Sequence, residues 1–525
     1  MPENHLRSAI NEKKFFYSAE LVLGRDHTVA DAEAFVAEAA QSPDGMRIIS
    51  LTDLPGGNPA IPPESFASFV LEHGLTPLAH LSGKDGNRSL MEGRLHHLAK
   101  MGVENILALT GDAQNAGFMG KAKPVYDLDS ALILELIRIM QSGIEYFLGA
   151  RSLRSTPFDF FAGAVVSPYK TREPDQMMQF YKLQLKAALG ARFIITQLGF
   201  NLRKLYELKQ YLSREGLGSL PLVANVYIPT ATIAKMMKAG EPSGCVVTDE
   251  LIRRLEQEKK PQRLERAALM VAAVKDLGFS GAHIGGFGLT HKDFLTVIGR
   301  AAEIGNEWRR RIDELIFETP GDFYLFSRSG DGLSDGASPY NAPREHPRAS
   351  LKYTISRLFH HSVIRPESFF AKFFASRLRL RDKDPRRDGS WRSGLWYKML
   401  EFSSYYRIVA LQCQQCGDCI QEHLNYAGCT MRWCYKNLRN GPCGGSRVDG
   451  TCEADSGQTC IWNQVYRDTL AAGEDPGKFG RVLIPPRDWS LDRTNALANR
   501  FANIDNLETR SVRTLTTETV KKNNA

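Results

Sequence analysis

The fold class that this chain predicts is α/β: a closed (β/α)8 TIM-type barrel followed by a small cysteine-rich metal-binding domain. Two observations predict it. Short apolar runs alternate with amphipathic helical stretches eight times between residue 15 and about residue 306. Eight of the nine cysteines then lie between Cys413 and Cys460. A length of 525 residues leaves room for both, because a barrel of this kind takes about 250 residues.

The apolar runs are 15–22, 47–51, 76–81, 105–109, 158–166, 193–197, 222–226 and 281–284. The helical patterns between and after them are 28–41, 63–73, 89–101, 128–141, 175–189, 204–215, 230–238 and 292–303. Strands alternating with helices imply right-handed crossovers and a parallel sheet. An open doubly wound sheet is the competing arrangement. No Gly-x-Gly-x-x-Gly turn follows the first run, which weakens a dinucleotide-binding sheet. The expected division is a barrel over 1–320, a Gly-, Ser- and Asp-rich linker over 321–348, and a basic, aromatic helical segment over 349–405. A cysteine-rich module over 406–500 and a polar tail over 501–525 complete it.

Composition narrows the function classes. With 43% hydrophobic and 24% charged residues, the chain is an ordinary globular one and not a disordered one. No run of about 18 apolar residues is present, so no membrane helix is expected. The opening residues are polar with no apolar stretch behind them, so no export signal is expected and the location is expected to be cytoplasmic. A formal charge of +8 is modest for this length and does not by itself argue for nucleic acid.

Chemistry in a (β/α)8 barrel sits at the C-terminal ends of the strands. Six polar groups fall there: Glu20 after the first run, Thr52 and Asp53 after the second, His80 in the third, Asp112 after the fourth and Gln197 in the sixth. Each alone reads as a solvated or capping side chain. Their joint placement at one mouth is the stronger signal.

These residues carry a resemblance. The segments Ala19-Glu20, Pro77 to Leu81, Asn105 to Asp112 and Gly190 to Gln197 resemble the methylenetetrahydrofolate reductase family, in the same order and at compatible spacing over about residues 13–300. The resemblance implies a flavin-binding barrel, an oxidoreductase acting on a CH–NH group. It would interconvert 5,10-methylenetetrahydrofolate and 5-methyltetrahydrofolate in one-carbon metabolism. Glu20 then matches the general acid that opens the substrate's ring, and a buried carboxyl with a raised pKa suits that role. Asp112 matches the carboxylate beside flavin and pterin. Thr52, His80, Thr110, Gly111 and Lys186 match flavin-contacting positions. Gln197 matches a folate-contacting glutamine, able to donate to and accept from a pterin amide. The cofactor implied is FAD, with FMN as the alternative. The partners implied are a tetrahydrofolate derivative, an electron source that is NAD(P)H or a protein carrier, and a second copy of the chain. The sequence departs from the family at Leu21 to Gly24, at Ser167-Pro168 and at Leu185, all on the flavin side.

The cysteine run opens with Cys413, Cys416 and Cys419 at x2 spacing, then Cys429, Cys434, Cys443, Cys452 and Cys460. Three closely spaced thiols open many [4Fe–4S] sites, with a fourth ligand from further on. Zinc more often takes two separated pairs. Eight thiolates suffice for two four-ligand sites of either metal, and without an export signal a disulfide framework is the weaker reading. The run also resembles the cysteine-rich C-terminal module attached to, or partnered with, some bacterial methylenetetrahydrofolate reductases. That likeness implies electron delivery from the module to a flavin in the barrel. Cys245 stands apart and is expected in the barrel core.

The basic segment holds Arg377, Arg379, Arg381, Trp391 and Trp396. It admits a nucleic-acid surface, but amphipathic helices with solvated arginines are preferred. A patch that attracts the folate's glutamate tail or an acidic electron carrier is the third option. The leading functional expectation is a flavoenzyme of tetrahydrofolate metabolism, with neither nucleic acid nor membrane as a partner. The alternatives are a folate-dependent methyl or formaldehyde transferase without redox chemistry, and an electron-transfer adaptor whose barrel only docks partners.

Overall fold

Eight runs rich in Val, Ile, Leu, Ala and Phe become the eight strands of one closed parallel barrel in the computed structural model. The structure describes residues 3–25, 29–42, 46–339, 347–349, 351–365, 368–378, 392, 394–424, 428–505 and 513–514. The strands are β1 Phe16–Leu21, β2 Ile48–Leu51, β3 Thr76–Ser82 and β4 Asn105–Leu109. They continue as β5 Phe161–Val166, β6 Ile194–Thr196, β7 Leu222–Tyr227 and β8 Gly281–Gly285. Neighbours pair in chain order, and β8 closes on β1 through Phe16 opposite Gly281. The open-sheet alternative is thereby excluded.

Side chains alternate in and out along each strand, and the inward ones form layers. The lowest layer is apolar: Phe16, Ile48, Leu78, Leu107, Phe161, Phe193 and Val223 are buried together. The short helix α1 (His5–Asn11) closes this end by adding Leu6 to the same cluster. Two residues further along, five of the eight strands turn polar. Ser18, Ser50, His80, Asn225 and His283 are all buried there. That switch is what makes one end of the barrel a floor and the other a site.

The outer helices begin with α2 (Val29–Gln41) and α3 (Glu64–Glu72), and several of those that follow are fixed by caps that satisfy their first amides. Asn87 caps α4 (Arg88–Lys100), Asp129 caps α5 (Ser130–Met140), Asn201 caps α7 (Leu202–Arg214) and Thr230 caps α8 (Ala231–Ala239). Between α5 and α7, helix α6 (Glu173–Ala188) is the most deeply buried and becomes the seat of the second unit. Cys245 is buried among Ala234, Met237, Val247 and Leu251, as a core residue should be. Part of the stretch read as a linker is a hairpin, Phe326–Arg328 with Ser334–Pro339, and Glu207 of α7 accepts from the Leu325 and Phe326 amides.

The basic segment supplies helices Leu351–Phe359, Phe369–Leu378 and Leu395–Leu411. Arg377 lies over the rings of Phe373 and Trp396; Arg379, Arg381 and Trp391 lie outside the described residues. Phe501 and Ile504, at the start of the stretch read as a tail, pack with Ala371, Tyr397 and Leu400. Among the described residues no helix is long and apolar enough to cross a membrane.

Candidate functional site

A cavity of about 1050 Å³ opens at the C-terminal ends of the strands. Its wall brings together Glu20, Thr52, His80, Thr110, Gly111, Asp112, Lys186 and Gln197, every barrel residue singled out from the sequence for cofactor or substrate. The volume is at the upper end of small-molecule sites, which run from about 300 to about 1,000 Å³. Asp53 is otherwise employed: its carboxylate accepts from the Ser82 amide (2.8 Å) and pairs with Arg94 (2.9 Å).

Glu20 sits at the end of a buried chain of polar groups. His283 Nε2 meets Glu20 Oε2 at 3.2 Å, and His283 Nδ1 meets Ser18 Oγ at 2.9 Å. Burial pushes the Glu20 carboxyl up, but the hydrogen bond and charge of His283, with that of His80, outweigh it. The net shift is downward, opposite to the raised value expected from burial alone. Desolvation can be read from the sequence, whereas the imidazole that reverses its effect comes from a strand more than 260 residues away. His80 is held neutral near pH 7, because burial lowers it to about 4. Ser50 Oγ fixes its ring at 2.7 Å.

Asp112 is carried by the loop after β4. Gly111 enters that loop at φ +87°, and a Cβ there would lie 2.2 Å from Ser82 Oγ and 2.8 Å from Lys84 Cβ. Only glycine meets both conditions. Gly111→Ala is therefore expected to destabilise the protein by roughly 2–4 kcal/mol, from strained backbone plus overpacking. Denaturant unfolding checks this. Burial raises the Asp112 carboxyl to about 6, with the charge of Glu453 adding to the effect. Lys186 Nζ donates to Val165 O (2.6 Å), and burial, then the charge of Lys182, lowers it to about 7.

The cysteine unit is seated across this same mouth. Lys436, Cys443, Gly444, Gly445 and Glu453 line the cavity beside the barrel residues. The glycines permit the close approach. A Cβ on Gly444 would meet Gln179 of α6 at 3.2 Å, and one on Gly244 of the barrel would meet Gly444 O at 2.6 Å. Polar contacts lock the docking: Lys182 Nζ bridges Asp129 (2.8 Å) and Gly441 O (3.3 Å), and Lys170 Nζ donates to Ser446 O (2.7 Å). Met178 of α6 packs with Ile420, Trp462, Val465 and Phe479.

All eight cysteines of the module are unpaired thiols. They fall into two neighbourhoods. Burial raises Cys416 to about 11 and Cys419 and Cys429 to about 12, and Cys413 adds to each as a like-charged neighbour. Burial likewise raises Cys434, Cys443 and Cys460. Cys452 adds to the first of these and Cys434 to the other two. Backbone amides reach some sulfurs: Gly445 N donates to Cys443 Sγ (3.3 Å) and Gln415 N to Cys413 Sγ (3.4 Å). The donors suit a thiophilic metal. Among the described residues, however, no three His, Cys, Asp or Glu side chains group closely enough to hold an ion. The thiols are the donors such a centre would use, but they are not gathered around a common point in this structure.

For a flavin and a pterin the fit is better. Ser167 Oγ and Asn225 Oδ1 are buried, belong to cavity-wall residues and find no partner among the described residues. Buried polar atoms of this kind are normally satisfied, so a polar ligand is the natural partner. Asn225, His283, Lys436 and Glu453 were given no role from sequence. A polar residue at an inward position of an apolar strand run was the available signal for the first two.

Comparisons with known proteins follow the same division. Residues 396–490 match a family model described as methylene-tetrahydrofolate reductase C terminal. No curated protein matches the chain. Among solved structures, a Clostridium thermocellum protein described as binding two copies of 5-methyl-5,6,7,8-tetrahydrofolic acid is 13% identical. It has a TM-score of 0.39, over 57% of this chain and 98% of that one. A putative lyase/mutase from Burkholderia cenocepacia is 14% identical, with a TM-score of 0.30, over 57% of this chain and 85% of that one. Residues 5–287, more than half of the chain, match the model described as methylenetetrahydrofolate reductase, and the chain belongs to that family.

Proposed function

We propose that the barrel mouth is a flavin-dependent site that interconverts 5,10-methylenetetrahydrofolate and 5-methyltetrahydrofolate. The observation that carries the reading is the single cavity on which Glu20, Asp112, Lys186 and Gln197 converge from four different elements. Thr52, His80, Thr110, Gly111 and Lys186 would hold a flavin, FAD or FMN, and its ring would supply the hydride donor or acceptor. A neutral His80 suits an uncharged ring edge. Gln197 and the unpartnered Asn225 Oδ1 would orient the pterin, and Ser167 Oγ offers a further donor. Near-contact stacking of the two ring systems is the main contribution such a cavity makes to rate.

Proton handling falls to Glu20. Its carboxyl is ionised near neutrality in the free protein, so a proton must arrive before it acts as an acid. His283 Nε2, 3.2 Å away, is placed to deliver one. Asp112 contributes negative charge beside a cationic folate intermediate. That charge appears only as the pH rises through the raised value of about 6. The folate half-reaction is therefore expected to accelerate between pH 5 and pH 7 with a midpoint near 6, and Asp112→Asn to abolish the rise. Stopped-flow rates across that range test it.

The metal-binding reading of the cysteine unit is part of the same proposal. It is supported by eight unpaired thiols in two neighbourhoods of four. An absorbance spectrum with iron and zinc analysis on anaerobically purified protein tests flavin and metal together. A yellow protein carrying iron or zinc is expected. Protein that neither contains nor takes up flavin would favour the one-carbon transferase alternative. Protein without iron or zinc would end the metal reading.

A further inference from the structure

The wall that the cysteine unit adds to the cavity contains a buried ion pair. Lys436 Nζ and Glu453 Oε1 are 2.5 Å apart, with side chains only 3% and 1% exposed. Both ends grip the loop after β4. Lys436 Nζ donates to Gly111 O (2.5 Å), and Glu453 Oε2 accepts from Ala113 N (3.3 Å). Asp112 lies between those two residues, so its neighbours on both sides are held from across the unit boundary. Tyr126 Oη takes the remaining backbone handle by donating to Asp112 O. The far end of the clamp is also anchored: Cys443 Sγ donates to Glu453 Oε1 at 3.0 Å.

Burying two charges is rarely the most stable choice, because desolvation offsets much of their attraction. An apolar pair of the same size would pack the same space. What an apolar pair lacks is directional bonding to one carbonyl and one amide. Gly111 makes that bonding matter, because it enters the loop at φ +87° with no side chain to anchor it, and Gly57 of the turn after β2 leaves Ala113 the room to sit there, a Cβ on it falling 1.9 Å from Ala113 O.

We propose that Lys436 and Glu453 are positioning residues for Asp112, so that the cysteine unit sets the geometry of the barrel's ligand site when it is seated. The inference rests on the reading of the barrel mouth as a folate site. It makes the C-terminal unit part of that site and not only an appendage to it.

The test uses the full chain in four forms: wild type, Lys436→Met, Lys436→Arg and the charge-balanced Lys436→Met/Glu453→Leu. The double variant leaves no uncompensated buried charge, so it carries the test if Lys436→Met fails to fold. Hydrogen exchange is followed at the amides of 110–115, and 5-methyltetrahydrofolate binding by calorimetry. Loss of a charged hydrogen bond predicts about tenfold faster exchange at 110–115, with β1–β3 unchanged, and about tenfold weaker folate binding. Lys436→Arg is expected to restore most of both, which a general loosening would not allow. A folded double variant with unchanged exchange at 110–115 overturns the proposal. So does a loosened loop that binds folate as tightly as wild type does. If the loop loosens as expected but wild type binds no folate, the clamp stands and the folate reading falls.

Discussion

Glu20→Gln is expected to slow hydride exchange between flavin and folate by about 10²–10⁴-fold, the usual contribution of a positioned acid. Glutamine keeps the shape and can still meet His283 Nε2, which now lies 3.2 Å from the carboxylate. It cannot give up a proton. Folate binding should therefore change by no more than a few fold while the chemical step collapses. Single-turnover rates and binding constants measured on the same preparation separate the two. A loss of less than about threefold in the chemical step would remove Glu20 from the role. Because the carboxylate is ionised in the free protein, a second consequence follows: His283→Ala should raise the Glu20 pKa and break its route to a proton together.

Arg439→Ala is expected to produce the largest loss of stability. Arg439 Nη1 and Asp418 Oδ2 lie 2.8 Å apart, with side chains 4% and 0% exposed. Asp418 also accepts from the Asp488 amide at 3.1 Å, so one carboxylate ties the 413–419 loop to the segment before the helix Ala496–Phe501. Removing the guanidinium strands a buried charge, which costs roughly 3–5 kcal/mol. The paired replacement Arg439→Met/Asp418→Leu should recover most of that loss. Urea unfolding of the three proteins is the measurement. Equal stability of Arg439→Ala and wild type would show that the pair is solvated in practice.

The barrel was legible because its code is local. Runs such as 105–109 and 222–226 are too apolar and too short for anything but buried strands, and each is followed by a helix with its own cap. Glu20, His80, Asp112 and Gln197 were legible for the same reason: they end or interrupt such runs. What escaped the sequence was long-range. The downward shift of Glu20 depends on His283, on a strand that becomes its neighbour only when the barrel closes. The roles of Lys436 and Glu453 depend on docking between units with no sequence proximity at all. The burial of Phe501 and Ile504 within a stretch read as tail depends on helices contributed by the basic segment. Local pattern reports which face of an element is apolar; it does not report which partner covers it.

The proposed chemistry needs one barrel mouth to hold flavin and folate so that hydride passes between them. Anaerobic mixing of 5-methyltetrahydrofolate with protein loaded with FAD, or with FMN, tests it most directly. Bleaching of the oxidised flavin band with formation of 5,10-methylenetetrahydrofolate is expected, strongly slowed in Glu20→Gln. Tight binding of both molecules without any bleaching, and with no reoxidation of the reduced flavin by 5,10-methylenetetrahydrofolate, would contradict it.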